Sequence, residues 1–181
     1  MQPKKNPQIL ISAFISINEK EEKTPHSQIL KFSNSQIHLL LVGNGILENE
    51  LRKLALGNPF IHFLPFQNQS AMPLMYRIAN LYCLPSKGPG ETWGLAANEA
   101  LASGCPVIVS DKAGCAVDLV QQGRNGYIFD HSSEEALKSC INLAFQNRDT
   151  FKNNKQFIQD SVKPWSIQEC VKKMEIEFQR L

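Results

Sequence analysis

Hydrophobic residues along the chain form two alternating patterns, short continuous runs and longer stretches with helical spacing. The continuous runs have the length of buried strands and cover residues 37–42, 61–64, 81–84, 106–110 and 127–129. Helical spacing covers residues 7–18, 46–56, 70–78, 95–103, 116–121, 133–145 and 167–181. Because strands and helices alternate, the pattern predicts an α/β fold with a parallel, doubly wound sheet.

Several predicted helices carry signals at their ends. Pro7 suits the first position of the first helix, where its missing N–H costs nothing. Gly104 supplies a stop for the helix that precedes it. Ser132 or Ser133 is the predicted N-cap of the helix at 133–145, because acidic residues follow in the first turn.

Two segments between these elements have less regular patterns. The polar segment 19–35 is predicted to be a connection with at most a short helical piece around Ile29 and Phe32. The Gly-Asn-Gly turn at 43–45 follows a strand, as a dinucleotide-binding turn does, but Glu48 stands where the third glycine of that fingerprint would fall. A tight turn without a ligand is therefore the preferred interpretation of this turn.

Composition places the chain among ordinary globular proteins. With 181 residues, 43% hydrophobic and 20% charged, it has the length of one domain and no apolar run long enough to cross a bilayer. The net charge of +2 and the scattered lysines give no sign of a nucleic-acid partner. No secretory signal opens the chain, and its five cysteines form no CxxC pair, so free thiols and a cytoplasmic location are predicted.

The stretch ETWGLAANEA places two carboxylates around the start of the helix at 95–103. Glu99 follows Leu95 by four residues and Ala96 by three, so it shares a face that we expect to pack on the sheet. Alanines on every side of this helix let a ligand approach closely. A carboxylate at such a place suits a diol such as ribose, whose two hydroxyls donate hydrogen bonds to it.

The beginning of the same helix is a candidate anion site. Its free N–H groups, with no side chain at Gly94, would attract a diphosphate, and Glu91 could hydrogen-bond the neutral sugar hydroxyls beyond it. Purely structural roles remain open for both carboxylates. Glu91 could simply interact with the helix dipole, and Glu99 could be a surface residue with a lysine neighbour.

The motif ETWGLAANEALASGCPVIVSD resembles the signature of the retaining GT-B glycosyltransferases of family four. In that signature two glutamates separated by seven residues precede a helix of small residues and a G-x-P-V-I strand, and Glu91 and Glu99 have this spacing. Similarity continues through LLVGNGILENELRKLA, LYCLPS and GRNGYIF, so it covers nearly the whole chain from Lys4. The resemblance implies one Rossmann-like half of a GT-B fold.

That resemblance also implies roles around the two glutamates. Glu99 would hold the ribose hydroxyls, Glu91 would bind the donor sugar as the candidate catalytic group, and Gly94 and Leu95 would give backbone amides to the diphosphate. The residues between Glu91 and Gly94, which are Thr92 and Trp93, are counted with the substrate-binding residues.

Other parts of the donor site come from outside the motif. By the resemblance, backbone at Pro65 and Phe66 would meet the nucleobase, and Lys5 matches a lysine that neutralises the diphosphate leaving group. The family transfers the sugar with retention, without a metal and without a settled protein nucleophile. The chain has no D-x-D pair, so no metal or other cofactor is expected.

The chain departs from complete enzymes of this kind in two ways. We expect residues 1–181 to be a single C-terminal donor-binding domain, with the N-terminal acceptor domain absent. The strand that family members place just before the lysine matched by Lys5 is also missing, so the sheet is predicted to lack its first strand.

Three functions fit these features. The first is the half of a retaining hexosyltransferase that binds a UDP-, GDP- or ADP-sugar, in cell-surface polysaccharide biosynthesis by the resemblance. The second is a noncatalytic nucleotide-sugar-binding or assembly module, and the third is half of a nucleotide-sugar epimerase. An uncovered sheet edge would promote self-association or pairing with an N-terminal partner domain.

Overall fold

The computed structural model describes residues 1–23 and 37–180, which form alternating strands and helices. The strands are β1 (Leu39–Val42), β2 (Ile61–Leu64), β3 (Tyr82–Leu84), β4 (Val107–Ser110) and β5 (Gly126–Phe129). The helices are α1 (Pro7–Lys23), α2 (Glu48–Leu54), α3 (Met72–Ile78), α4 (Leu95–Ala102), α5 (Ala116–Leu119), α6 (Glu134–Gln146), α7 (Arg148–Asn153), α8 (Lys155–Asp160) and α9 (Ile167–Phe178). Short 3₁₀ helices occupy Pro3–Lys5 and Lys163–Trp165.

The strands pair in parallel, as predicted, but in two groups. β1 pairs with β2 through Leu39 opposite Ile61, and β4 lies between β3 and β5. No ladder joins β1 to β3 within the described residues. The α/β class and the Rossmann-like arrangement are confirmed, and the break between the two groups agrees with a sheet that lacks a strand.

Two hydrophobic cores form around these groups. The larger one surrounds β4, whose Ile108 is fully buried because helices cover both of its sides, and the smaller one includes Leu41 and Leu51. Helix α1 belongs to both, since Ala13 lies in the larger core and Phe14 in the smaller. The first helix therefore holds the two groups of strands together.

The first residues of the chain also contact both groups. The carbonyl of Met1 accepts a hydrogen bond from Leu47, beyond β1, and the carbonyl of Lys4 accepts one of 2.9 Å from the N–H of Lys87, beyond β3. This path brings the short 3₁₀ helix at Pro3–Lys5 to the carboxyl ends of the strands. That edge is where an open parallel sheet binds its ligands.

Some sequence predictions are corrected by the structure. Helix α1 continues to Lys23, although the segment from residue 19 was predicted to be a connection. Strand β1 begins at Leu39 instead of residue 37, and α7 and α8 were not predicted. The helical piece expected around Ile29 and Phe32 lies outside the described residues.

Other predictions are confirmed. Ser133 is the N-cap of α6, and its hydroxyl accepts a 3.0 Å hydrogen bond from the N–H of Ala136. Gly104 ends α4 with a positive φ of 79°, which glycine adopts without strain. All five cysteines are free thiols. Among the helices of the described ranges, none has the length and apolar character needed to span a membrane.

Candidate functional site

The candidate site lies at the carboxyl ends of β3 and β4, where the loop 85–94 leads into α4. This loop packs against the turn 111–115, which follows β4. The N–H of Cys115 donates a 2.9 Å hydrogen bond to the carbonyl of Trp93, and Gly114 donates one of 3.4 Å to Glu91. A side chain at Gly114 would collide with the carbonyl oxygen of Thr92. The glycine therefore permits the close approach that fixes the loop.

Glu91 is held by an ion pair and a hydroxyl. Its carboxylate is only 9% exposed, and its Oε2 contacts the ammonium group of Lys5, which comes from the first turn of the chain. The same oxygen accepts a 2.8 Å hydrogen bond from the hydroxyl of Ser86. Two donors on a nearly buried carboxylate hold it in a fixed position.

Ser86 is itself anchored from the sheet. Its side chain is fully buried, and its carbonyl accepts a hydrogen bond from the hydroxyl of Ser110, the last residue of β4. Glu91 is thus connected to two adjacent strands through buried hydroxyl groups. Its position depends on the sheet more than on its own loop.

The beginning of α4 offers unpaired backbone donors. Gly94 is the N-cap with a φ of 105°, and no side chain caps the helix. Within the described residues, no backbone oxygen accepts a hydrogen bond from the N–H of Leu95 or Ala96. These groups carry the positive end of the helix dipole and suit an anion.

Packing of the core requires a glycine at position 94, which the sequence did not reveal. A Cβ atom there would lie 2.8 Å from Cδ2 of Leu84 and 3.2 Å from Sγ of Cys115. The glycine was predicted to clear space for a ligand, but it is buried and its missing side chain makes room for the core. The anion-binding prediction for its N–H is separate and remains a prediction.

Glu99 lies on the exposed side of α4, contrary to the expectation that it shares a sheet-facing surface with Leu95. Leu95 is 69% exposed, and the face that packs on the sheet contains Ala97, Ala100 and Leu101 instead. Glu99 is therefore open to a ligand.

Tyr76 fixes the carboxylate of Glu99. Its hydroxyl donates a 2.9 Å hydrogen bond to Oε2, and its ring is buried in α3 against Tyr82, with ring centroids 5.4 Å apart. Burial, followed by the bond to Glu99, raises the pKa of Tyr76 well above its ordinary value. The phenol therefore remains a donor throughout the physiological range.

Trp93 and Thr92 differ in what remains available for a ligand. The indole N–H of Trp93 donates 2.7 Å to Oδ1 of Asn98, and its ring lies 5.1 Å from that of Trp165. Thr92 has an exposed side chain. The indole thus connects the loop to α4 and to the 3₁₀ helix at Lys163–Trp165, so its polar group is already used.

Pro65 and Phe66 follow β2 and are both exposed. The N–H of Phe66 already donates 2.7 Å to Oδ1 of Asn44, in the Gly-Asn-Gly turn after β1. The carbonyl of Pro65 accepts 3.1 Å from the side chain of Gln67. Neither of these two hydrogen bonds involves the carbonyl of Phe66. That carbonyl is therefore the backbone group that could meet a base.

One cluster near the site offers ligand atoms of the kind that metals bind. Asp111 follows β4, and Asp130 and His131 follow β5. Nδ1 of His131 lies 3.0 Å from Oδ1 of Asp111 and 3.6 Å from Asp130. Both carboxylates are exposed and the histidine already bonds one of them, so the cluster is explained by an ordinary surface hydrogen bond between His131 and Asp111.

Several contributors to the site were missed in the sequence. They are Ser86, Ser110, Tyr76, Asn98, Gly114 and Cys115. Ser86 was the easiest of these to predict, because a serine soon after a buried strand lies at the ligand edge of the sheet. The contact between Tyr76 and Glu99 joins two helices and has no local signal.

Comparison with known proteins gives a consistent assignment. The family model described as "Glycosyl transferases group 1" matches residues 1–163. An uncharacterized glycosyltransferase of Haemophilus influenzae is 26% identical over 127 residues, covering 68% of this chain and 35% of that protein. A phosphatidyl-myo-inositol mannosyltransferase of Mycobacterium leprae is 31% identical over 112 residues, covering 61% of this chain and 29% of that protein.

Solved structures show the same fold. Anabaena HepE in complex with UDP-glucose superposes with a TM-score of 0.74 and 21% identity, covering 100% of this chain and 47% of that one. The catalytic domain of the cholesterol-α-glucosyltransferase from Helicobacter pylori gives 0.71 and 18%, covering 91% of this chain and 93% of that one. The chain spans about a third or less of the curated relatives it matches first. It belongs to the glycosyl transferases group 1 family and has the fold of one Rossmann-like half of a GT-B enzyme.

Proposed function

We propose that the chain is the donor-binding domain of a retaining, metal-independent hexosyltransferase whose donor is a nucleotide-diphosphate sugar. The observation that carries the proposal is the arrangement around the start of α4. The helix end is uncapped, the Lys5–Glu91 pair lies in the loop that leads into it, and the Glu99 carboxylate is exposed on the same helix. These groups suit, respectively, a diphosphate, a sugar with its leaving group, and a ribose.

Each part of the donor would find complementary chemistry. The N–H groups of Leu95 and Ala96 would bind the diphosphate oxygens, which carry the charge that a helix beginning attracts. Glu99, exposed and held by Tyr76, would accept hydrogen bonds from both ribose hydroxyls. Pro65 and Phe66 would lie beside the base, with Asn44 fixing their loop.

Lys5 and Glu91 satisfy one another before a donor binds. In the proposed complex the ammonium group of Lys5 turns to the diphosphate and the carboxylate of Glu91 accepts from sugar hydroxyls. The anomeric bond then breaks as negative charge grows on the leaving diphosphate, which Lys5 neutralises together with the α4 amides. The acceptor hydroxyl attacks the face from which the diphosphate departs and gives its proton to the departing phosphate oxygen, so the configuration is retained.

Binding calorimetry tests the donor site. UDP, UDP-glucose, GDP and ADP would be titrated into the wild-type chain and Glu99→Gln, starting with UDP because it occupies the similar HepE structure. Losing charge-assisted hydrogen bonds worth about 1.5–3 kcal/mol should weaken binding roughly 10- to 100-fold. Glu175→Gln, an exposed glutamate on α9, is the matched control and should bind normally. No binding of any nucleotide would reject the proposal.

Complete transfer would require a partner domain that supplies the acceptor. The apolar stripe of α9 supports this, because the helix has no buried residue while Ile167 is 80% and Phe178 76% exposed. A noncatalytic nucleotide-binding or assembly module is the second candidate. The mutual pairing of Lys5 and Glu91 is compatible with it, since the two groups satisfy one another before a donor binds. Nucleotide binding without sugar transfer, with the partner domain present, would identify the second candidate.

A further inference from the structure

A cleft separate from the candidate donor site lies at the opposite edge of the sheet. It has a volume of about 340 Å³ and opens at the amino ends of β3 and β4, beside Asn80 and Pro106. The four residues of β4 separate it from the donor edge by about 13 Å at 3.3 Å per residue. One small ligand therefore cannot occupy both places.

The cleft concentrates positive charge. Arg77 from α3, Arg148 and Lys152 from α7, and Lys155 from α8 line it, and Asp149 is the single carboxylate among the described residues that do so. Four cations and one carboxylate give a formal charge of +3, which exceeds the +2 of the whole chain. The fold thus brings together cations that the sequence separates by about seventy residues.

These cations are not neutralised by neighbouring side chains. Among the residues that the structure describes, none of the four forms an ion pair with a carboxylate. Elsewhere Lys138 and Lys163, by contrast, meet an acidic group within one helical turn. Like charges in one cleft repel one another, so an anion that binds there relieves the repulsion.

Two of the cations are held in place by apolar contacts. The guanidinium of Arg148 lies 4.5 Å from the ring centroid of Phe145 and donates 3.1 Å to that residue's carbonyl. The alkyl chain of Lys155 packs against Gly104, where an added Cβ would lie 2.6 Å from its Cγ. The charges therefore lose little freedom when they bind a ligand.

We propose that this cleft binds a phosphate group. A charge of +3 suits a compact anion with two or more charges, and the planar guanidinium groups of Arg77 and Arg148 match phosphate oxygens in pairs. The group could be part of a free phosphorylated molecule or of a lipid head. The site is separate from the proposed donor site, and the inference does not depend on it.

Nuclear magnetic resonance separates the two sites in one experiment. Inorganic diphosphate is titrated into the ¹⁵N-labelled chain, and the amides of Asn80 and Gly104 report on the cleft while those of Leu95 and Ala96 report on the start of α4. Flotation with phosphatidylglycerol vesicles, against phosphatidylcholine vesicles, tests the lipid source. Both are run at low and high salt, because this binding should weaken with ionic strength.

Two charge-neutral variants test the cleft residues against a matched control. Arg77→Gln/Arg148→Gln and Lys152→Gln/Lys155→Gln should each weaken binding about tenfold, because each removes two contacts to the anion. Lys53→Gln/Lys173→Gln removes the same charge from exposed positions outside the cleft and should leave binding unchanged. The second cleft variant keeps the test valid if loss of the Arg148 stacking affects folding.

The outcomes differ in what they support. Shifts at the cleft amides with diphosphate, lost in the cleft variants, identify a free phosphorylated ligand. Flotation with phosphatidylglycerol alone, lost in the same variants, identifies a lipid head group. Binding to neither probe, or an equal loss in the control variant, overturns the proposal.

Discussion

The hydroxyl of Tyr76 donates a 2.9 Å hydrogen bond to Oε2 of Glu99, and so joins α3 to the exposed face of α4 at the candidate ribose site. The tyrosine ring is buried, whereas the carboxylate is exposed. A core residue therefore sets the position of a carboxylate that a ligand can reach. The relationship gives Tyr76 a positioning role in donor binding.

Tyr76→Phe should lower both stability and nucleotide affinity. Losing one hydrogen bond to a charged acceptor costs about 1–2 kcal/mol of unfolding free energy, and a carboxylate held less firmly should weaken UDP binding roughly three- to tenfold. Urea unfolding and calorimetry measure the two effects.

Tyr127→Phe is the matched control, because Tyr127 is a buried residue whose hydroxyl accepts a hydrogen bond from the side chain of Asn147, at the end of α6. It should lose a similar amount of stability and keep the wild-type affinity. Equal losses of affinity in both variants would show that Tyr76 acts only through overall stability.

The same pair shows what the sequence could and could not predict. The strand at 81–84 and the glycine stop at Gly104 placed Glu99 on a helix at the ligand edge, because periodicity and caps are local signals. The inward face was assigned wrongly, since Leu95 was expected to pack on the sheet. The buried face contains Ala97, Ala100 and Leu101, and hydrophobicity alone did not distinguish it from the face with Leu95.

Contacts between distant segments account for most of the features that the sequence did not predict. Lys5 and Glu91 are 86 residues apart in sequence, and the resemblance gave each a ligand-binding role without indicating that they meet. Ser86 had no motif that connected it to Glu91. Helices α7 and α8, each of six residues, are too short to show a full amphipathic period.

Lys5→Met should destabilise the chain and weaken donor binding. The carboxylate of Glu91, 9% exposed, would keep only the hydroxyl of Ser86, so the unfolding free energy should fall by about 2–4 kcal/mol. Nucleotide affinity should fall at least about tenfold, because a cation facing the diphosphate is lost. Urea unfolding and calorimetry again measure both.

Two variants separate the structural effect of Lys5 from its effect on binding. Lys4→Met is the control and should change little, because within the described part of the chain the ammonium of Lys4 bonds a single group, the carbonyl of Gly90 at 3.2 Å. Lys5→Met/Glu91→Gln should recover much of the lost stability, since no unpaired charge remains, without recovering affinity. Recovery of affinity in the double variant would show that Lys5 does not meet the donor.

Gly94→Ala should lower the unfolding free energy by about 2–4 kcal/mol. The substitution combines a φ of 105° with a Cβ 2.8 Å from Leu84, so backbone strain and a core collision add. Gly43→Ala has a similar φ of 111° with no atom within 4 Å, and should cost only about 1 kcal/mol. Equal losses in the two variants would exclude the collision.

Stability should fall above pH 9 because burial raises the pKa of several thiols, among them Cys105 and Cys115. Burial raises the pKa of Cys105 to about 12 and that of Cys115 to about 11, from an ordinary value of 9.0. Between pH 9 and 11 the unfolded chain releases these protons while the folded chain keeps them. Each thiol then lowers the unfolding free energy by about 1.4 kcal/mol per pH unit.

Urea unfolding with a reductant, at several pH values, measures this dependence. Cys105→Ala/Cys115→Ala should show a shallower decline, because two of the thiols that release protons on unfolding are gone while Cys83 and Cys140 remain. Cys170→Ala, which removes an exposed thiol, should decline like the wild type. Parallel declines in all three proteins would assign the loss to other groups.

The apolar stripe of α9 should drive association. Ile167, Val171, Met174 and Phe178 recur at helical spacing, are all exposed, and form a continuous surface along the helix. Sedimentation velocity at rising concentration should therefore show dimers or larger species of the isolated chain.

Val171→Glu/Met174→Glu should shift the chain to monomers, because two charges would have to be buried on association. Lys172→Glu/Lys173→Glu changes charges outside the stripe and should still associate. A wild-type chain that stays monomeric at high concentration would contradict the prediction.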